Sequence, residues 1–192
     1  MYIETEQQLR EIYGFPKEKA VQKQIGALEK HSINFIKHAP FLVIATYDER
    51  EAMDCSPRGG EPGFVQVVDD NTLLIPDAAG NKRLDSLGNI LKTGNIGCIF
   101  MIPGINETLR INGKARISVA DDRLERFPEV DGPGYPAKAC IEITVKEVFL
   151  HCSRAFLKSK LWDSESQVDR ALFPSMLEMI NDQLAERAEV SS

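Results

Sequence analysis

Two short segments carry the residues best suited to chemistry. The first is Cys55-Ser56-Pro57-Arg58-Gly59-Gly60. Proline and paired glycines break a strand ladder and leave backbone amides free beside a guanidinium. Amides and an arginine together make a receptor for a phosphate or another planar anion. The plain alternative is a surface turn with a solvated arginine. The second segment is Ile75-Pro76-Asp77-Ala78-Ala79-Gly80-Asn81-Lys82-Arg83, where a strand gives way to a helix. Asn81 is placed to cap that helix, and Lys82 and Arg83 then fall in its first turn. Cations there oppose the helix dipole at a cost of about 0.3–1 kcal/mol. An anion bound at the helix start turns the conflict into a grip by amides, lysine and arginine. One anion pocket shared by the two segments is the expectation, although sequence does not show that they meet.

Two further segments carry weaker signals. Arg110, Asn112 and Lys114 alternate along one face of a strand, opposite Leu109 and Ile111. For Lys114 a solvent-facing strand is the simpler account. His151 to Trp162 holds the single tryptophan and a basic helix that Ser153 can cap. Trp162 can stack on a flat ligand, anchor a partner subunit or fill a core. His31 and His38 have no partner at ligand spacing and read as surface or boundary histidines. The four cysteines, Cys55, Cys98, Cys140 and Cys152, include no CxxC pair and read as free thiols, so no zinc site or dithiol motif is indicated. Asp54 precedes Cys55, but strand alternation puts them on opposite faces. Dinucleotide, P-loop, zinc-protease and serine-hydrolase motifs do not occur.

The elements that must position these residues follow from periodicity. Thr5 to Tyr13 reads as a short helix ended by Gly14. From Pro16, the spacing of Val21, Ile25, Leu28, Ser32 and Phe35 predicts one amphipathic helix to about His38. Strands are predicted at Phe41–Thr46, Ala52–Ser56, Phe64–Val68, Thr72–Ile75, Asn95–Met101, Thr108–Val119 (bent at Gly113) and Ala139–Leu150 (with a slip after Val145). A helix over about Lys82–Lys92 is inserted after the fourth strand, and a short one is expected at Asp121–Arg126. Phe127 to Pro136 is a loop. Ser153–Lys160 and Pro174–Glu189 close the chain as helices. Hairpin connections argue for an antiparallel sheet and against a Rossmann-type fold. A closed or partly closed barrel hides the edges of so many strands.

Composition bounds the rest. The 192 residues fit one domain spanning 1–192, with N-terminal helices over about 5–38 and C-terminal helices over about 153–189. Hydrophobic residues at 43% and charged residues at 27% are ordinary for a globular chain. With 23 Lys and Arg against 29 Asp and Glu, the net charge is −6, a poor footing for nucleic-acid binding. The charged N-terminus and the lack of any run near ~18 apolar residues give the expectation of a soluble, cytoplasmic protein without membrane contact.

At these residues the chain resembles the pyridoxamine 5′-phosphate oxidase-like family of FMN-binding split β-barrels. The resemblance runs from about Phe41 to Leu150. It rests on FLVIATYDER, SPRGG, IPDAAGNKRLDSLGNI and LRINGKARIS, in that order. The N-terminal helix and the HCSRAFLKSKLW tail look like a subgroup of predicted FMN-dependent enzymes. The resemblance implies a homodimer with FMN in clefts between subunits. Lys82 and Arg83 match positions that hold the FMN phosphate. Ser56 and Arg58 match the strand end along the cofactor, Pro76 and Asp77 its neighbouring strand, and Thr108 a polar contact to the flavin. With Gly59, Asn81 and Trp162 from the residue reading, these make the expected cofactor-binding set. No catalytic residue is nominated and no metal is expected. The family's Arg-x-His and its Tyr/Arg/Ser substrate set are not reproduced, which argues against vitamin B6 oxidation. The expected function is an FMN-dependent oxidoreductase acting on a small molecule with a separate electron donor. The rivals are a flavin- or haem-binding protein without turnover, an F420-dependent reductase and a structural dimer.

Overall fold

The computed structural model describes residues 2–78, 80–130 and 132–190; Ala79, within the second segment, and Asp131, within the expected loop, lie outside the described residues. Helix α1 spans Glu6–Tyr13. Thr5 caps it: its side chain accepts from the Gln8 amide, and the Gln8 side chain accepts from the Thr5 amide. Two otherwise orphaned donors are satisfied this way. Gly14, at φ 69°, ends the helix.

The single helix expected to His38 is two helices, α2 at Glu18–Gln22 and α3 at Lys30–His38. Tertiary bonding breaks it. Ile25 and Val148 exchange backbone hydrogen bonds, and the Leu28 amide donates to the Asp70 carbonyl. Glu29 restarts the helix by accepting from the His31 and Ser32 amides. The apolar spacing holds on both sides of the break, which is why periodicity alone reads through it.

Seven strands follow: β1 Phe41–Tyr47, β2 Met53–Gly59, β3 Gln66–Asp69, β4 Thr72–Asp77, β5 Asn95–Ile102, β6 Ile105–Ser118 and β7 Ala139–His151. Helix α4 (Asp85–Thr93) lies between β4 and β5, and α5 (Asp121–Leu124) between β6 and β7. Helices α6 (Arg154–Ser159) and α7 (Met176–Val190) come last. The strand pairs are antiparallel in the order β2-β1-β5-β6-β7-β4-β3. β1 and β4 stand four places apart in that order, yet Leu42 and Ile44 share one core cluster with Leu73 and Ile75. The sheet therefore curls on itself, and the fold is a split β-barrel with flanking helices. Ile36 of α3 and Ile90 of α4 belong to the same core.

The bend expected at Gly113 is a β-bulge. Asn112 pairs with Glu147 but Gly113 pairs with Val145, which leaves Lys146 as the extra residue. The same bulge is the slip in the alternation of β7. A Cβ on Gly113 would stand 2.3 Å from the Thr144 carbonyl oxygen, so the close approach of β6 to β7 needs glycine there.

Two boundaries differ in ways that matter for the site. β2 runs through Pro57 to Gly59, past the end expected at Ser56. β2 is an edge strand, where a proline deprives no neighbour of a donor. α4 begins at Asp85, three residues later than expected.

Candidate functional site

The inner wall of the barrel turns polar at its edge. β1 points Leu42, Ile44 and Thr46 inward, all buried, and their partners on β2 are Arg58, Ser56 and Asp54. Beyond this edge lies the end of β4, with Pro76 and Asp77. β2 and β4 do not pair, but Arg58 Nη2 stands 3.9 Å from Asp77 Oδ1, and the Arg58 guanidinium also donates to the Ser56 hydroxyl. A cavity of about 380 Å³ opens between them.

Its remaining wall is the loop into α4. Asn81 does not cap the helix. Its Oδ1 accepts from the Arg83 amide at 3.0 Å, forming a turn ahead of the helix. Leu84 takes the N-cap position at φ 59°, and Lys82 stands at φ 63°. Lys82 and Arg83 are thus outside the first turn, and the dipole conflict that singled them out is not present. Asp85 occupies the first turn instead, where an acid is favoured. Two non-glycine residues in the left-handed region are strained, and such strain concentrates at ligand clamps. The Ser86 hydroxyl donates to Asp54 Oδ2 at 2.6 Å and the Asn89 amide to the Thr46 hydroxyl at 3.2 Å, which fixes α4 against the inner faces of β2 and β1.

Eight of the ten expected cofactor residues line this one cavity: Ser56, Arg58, Gly59, Pro76, Asp77, Asn81, Lys82 and Arg83. The two segments that sequence could not join do meet. Thr108 and Trp162 lie elsewhere. Thr108 is buried on β6, three strands from β2 in the sheet order. Trp162 stacks on Phe156 with ring centres 5.4 Å apart and donates from Nε1 to the Ile105 carbonyl at 2.9 Å.

The electrostatics are more balanced than the sequence suggests. Three carboxylates, Asp54, Asp77 and Asp85, share the cavity with Arg58, Lys82 and Arg83. Arg83 donates from Nε to Asp85 at 2.8 Å, and that bond holds the guanidinium even more firmly protonated than usual. Lys82 makes no ion pair among the described residues. An entering phosphate would meet one open ammonium and two guanidinium groups already oriented by carboxylates. The Gly60 amide is occupied by the Pro40 carbonyl at 3.0 Å, so it is not one of the free amides expected after Arg58.

Sequence reasoning missed Phe64, Asp85, Ser86 and Leu87, which also line the cavity, and gave Asp54 no role. For Asp54 a signal existed: its parity with Ser56 and Arg58 puts all three on one face. A second cavity of about 580 Å³ adjoins the first and shares Gly59, Phe64, Pro76 and Val130 with it. Cys55 is exposed on the opposite face of β2. Cys98 is buried, and burial pushes its thiol up to about 12.

A family model described as pyridoxamine 5′-phosphate oxidase matches residues 28–152. A search of curated proteins finds no match. The crystal structure of a histidine-to-alanine variant of HupZ from Group A Streptococcus is similar, with 19% identity and a TM-score of 0.51, covering 64% of this chain and 98% of that one. A second HupZ structure from the same organism gives 20% identity and a TM-score of 0.50, covering 64% and 93%. These likenesses bear on the fold alone.

Proposed function

The chain belongs to the pyridoxamine 5′-phosphate oxidase family, and from that premise we propose that it is an FMN-dependent oxidoreductase, a cytoplasmic homodimer acting on a small molecule. The observation that carries this reading is the convergence of Arg58, Lys82 and Arg83 on one cavity from two separate segments. Among the described residues no helix is long and apolar enough to cross a membrane.

The residues present fit the cofactor. Lys82, Arg83 and Arg58 would hold its phosphate through charge-assisted bonds, each contributing about 1.5–3 kcal/mol. Ser56, Pro76 and Phe64 would line the body of the ligand. When bound, FMN supplies the hydride and electron transfer. The chain's own part is to orient it: Asp77 and Asp85 hold the two guanidinium groups in place, and Ser86 holds Asp54. The adjoining cavity is the place for the substrate. Thr108 and Trp162 do not line the cavity of their own chain, so the flavin contact that the resemblance gives Thr108, and the ligand stacking that the residue reading allows Trp162, would fall to a second copy. That supports the homodimer.

The balance of charge also bears on the rivals. Three carboxylates in the cavity disfavour F420, whose anionic tail is longer. The described residues lining the first cavity include no His, Cys, Met or Tyr, the usual ligands of haem iron. Each carboxylate there is engaged, which leaves flavin binding without turnover as the second reading. The absorption spectrum of the purified protein, with the released chromophore identified by mass, tests the first step. A flavin spectrum and an FMN mass support the proposal. A colourless protein that fails to bind added FMN sinks it. Steady-state reduction by NADH or NADPH with an electron acceptor then separates turnover from holding.

A further inference from the structure

Two of the segments singled out by sequence have no part in the cavity, and the fold brings them together. β6 and β7 pair Arg110 with Phe149 and Thr108 with His151. Alternation therefore puts Arg110, Phe149 and His151 on one face of the sheet. The N-terminal segment, outside the region matched by the family model, adds a third base. Ile25 and Val148 exchange backbone hydrogen bonds, and Lys23 Nζ donates to the Leu150 carbonyl at 2.9 Å.

Three bases now surround one aromatic ring. Lys23 Nζ lies 5.3 Å and Arg110 Cζ 5.0 Å from the centre of the Phe149 ring, and the His151 ring lies 6.5 Å from it. The π-face offsets part of the repulsion between the cations, but a ring is not a counterion. The carboxylate on the same face, Glu147, accepts from Asn112 and makes no ion pair with Lys23, Arg110 or His151 among the described residues. Burial, then Arg110, then Lys23 hold the His151 imidazole below its ordinary value. A chain of net charge −6 has carboxylates to spare for such a cluster, and among the described residues none pairs with it.

We infer that Lys23, Arg110 and His151 form a second anion-binding site for the phosphate or carboxylate group of a small molecule, outside the cofactor cavity of their own chain and on the face of β6 and β7 that also carries Thr108. The guanidinium offers a planar fork, the ammonium a point charge and the imidazole an N–H. Phe149 forms the apolar floor between them.

The chain has three histidines, so their imidazole NMR signals are few, and His151→Gln identifies the one that matters. Inorganic phosphate and acetate are titrated separately. The expected result is a saturable shift of the His151 signal and a rise in its pKa, because a bound anion favours the imidazolium. His31 and His38 stay unmoved. Phosphate acting alone assigns a phosphate ligand, and acetate acting as well assigns the wider carboxylate class. Lys23 is exposed, so Lys23→Ala leaves the fold intact. It should weaken the response about tenfold, the equivalent of one charge-assisted bond, as should Arg110→Ala. The Lys82→Ala/Arg83→Ala protein should respond like the wild type, which keeps this site separate from the fate of the FMN proposal. A His151 signal indifferent to both anions, or an unchanged response in Lys23→Ala, overturns the inference.

Discussion

Arg58 and Asp77 face each other at 3.9 Å although their strands, β2 and β4, lie far apart in the sheet order. The contact spans the split of the barrel, and the cavity opens beside it. The pair is loose and its side chains keep 21% and 19% exposure. Such a pair contributes at most about 1 kcal/mol to stability. Arg58→Ala should therefore lower the melting temperature by no more than about 4 °C while weakening FMN by about tenfold or more. Thermal melts and flavin titrations on the same variant check both arms. A large fall in melting temperature with unchanged FMN affinity would make Arg58 a structural residue.

Glu142 on β7 gives an acid-dependent prediction. Burial opposes its charge, but hydrogen bonds from Arg116 and Arg123 outweigh burial and hold its carboxyl below the ordinary value of 4.5. A depressed folded value means that the stabilisation is complete above the unfolded value and is lost as pH falls through the folded one. Urea midpoints should therefore drop below about pH 4.5. Glu142→Gln should cost about 1.5–3 kcal/mol at neutral pH and flatten that part of the profile. A variant with the same acid slope as wild type would locate the dependence elsewhere.

Thiol reactivity should divide the cysteines in two. Cys98 and Cys140 are buried, and burial raises both thiols, Cys98 to about 12. Cys55 and Cys152 are exposed. A chromogenic thiol reagent should titrate Cys55 and Cys152 in the native protein and all four after unfolding. Because Cys55 faces away from the cavity, added FMN should not slow its labelling from within the same chain. Rapid native labelling of Cys98 would contradict the packing of β5.

The bulge at Gly113 should tolerate no side chain. A Cβ there would collide with the Thr144 carbonyl, so Gly113→Ala must move backbone rather than a flexible side chain. A loss of about 1–3 kcal/mol in urea unfolding is expected, in line with overpacking. A neutral result would show that β6 and β7 can separate without penalty.

Much of the fold is legible because the local rules agree. Gly14, the strand alternations and the glycine in the middle of β6 each have a local signature, and the strand block follows from them. The grouping of Arg58 with Lys82 and Arg83 rests on residue type and on resemblance. The dipole argument for Lys82 and Arg83 does not hold, since they precede α4 and their placement depends on two left-handed residues. Left-handed conformations at Lys82 and Leu84 are imposed by context and leave no mark in composition. The break between α2 and α3 is invisible for a related cause, because its hydrogen-bond partners, Val148 and Asp70, are remote in sequence. Periodicity reads Asp85 as one more helix residue, and its pairing with Arg83 depends on a boundary that periodicity does not resolve.

Lys82 and Arg83 are proposed to grip the phosphate of FMN. The most direct test of that grip is the affinity of FMN measured beside that of riboflavin, which has the same ring without the phosphate, in wild type and in the Lys82→Ala/Arg83→Ala protein. Two lost charge-assisted bonds correspond to about 100-fold or more. Wild type should prefer FMN by at least that factor, and the preference should collapse in the variant while riboflavin binding is unchanged. Equal affinity for FMN and riboflavin in wild type, or a preference that survives the double substitution, would contradict the proposed grip.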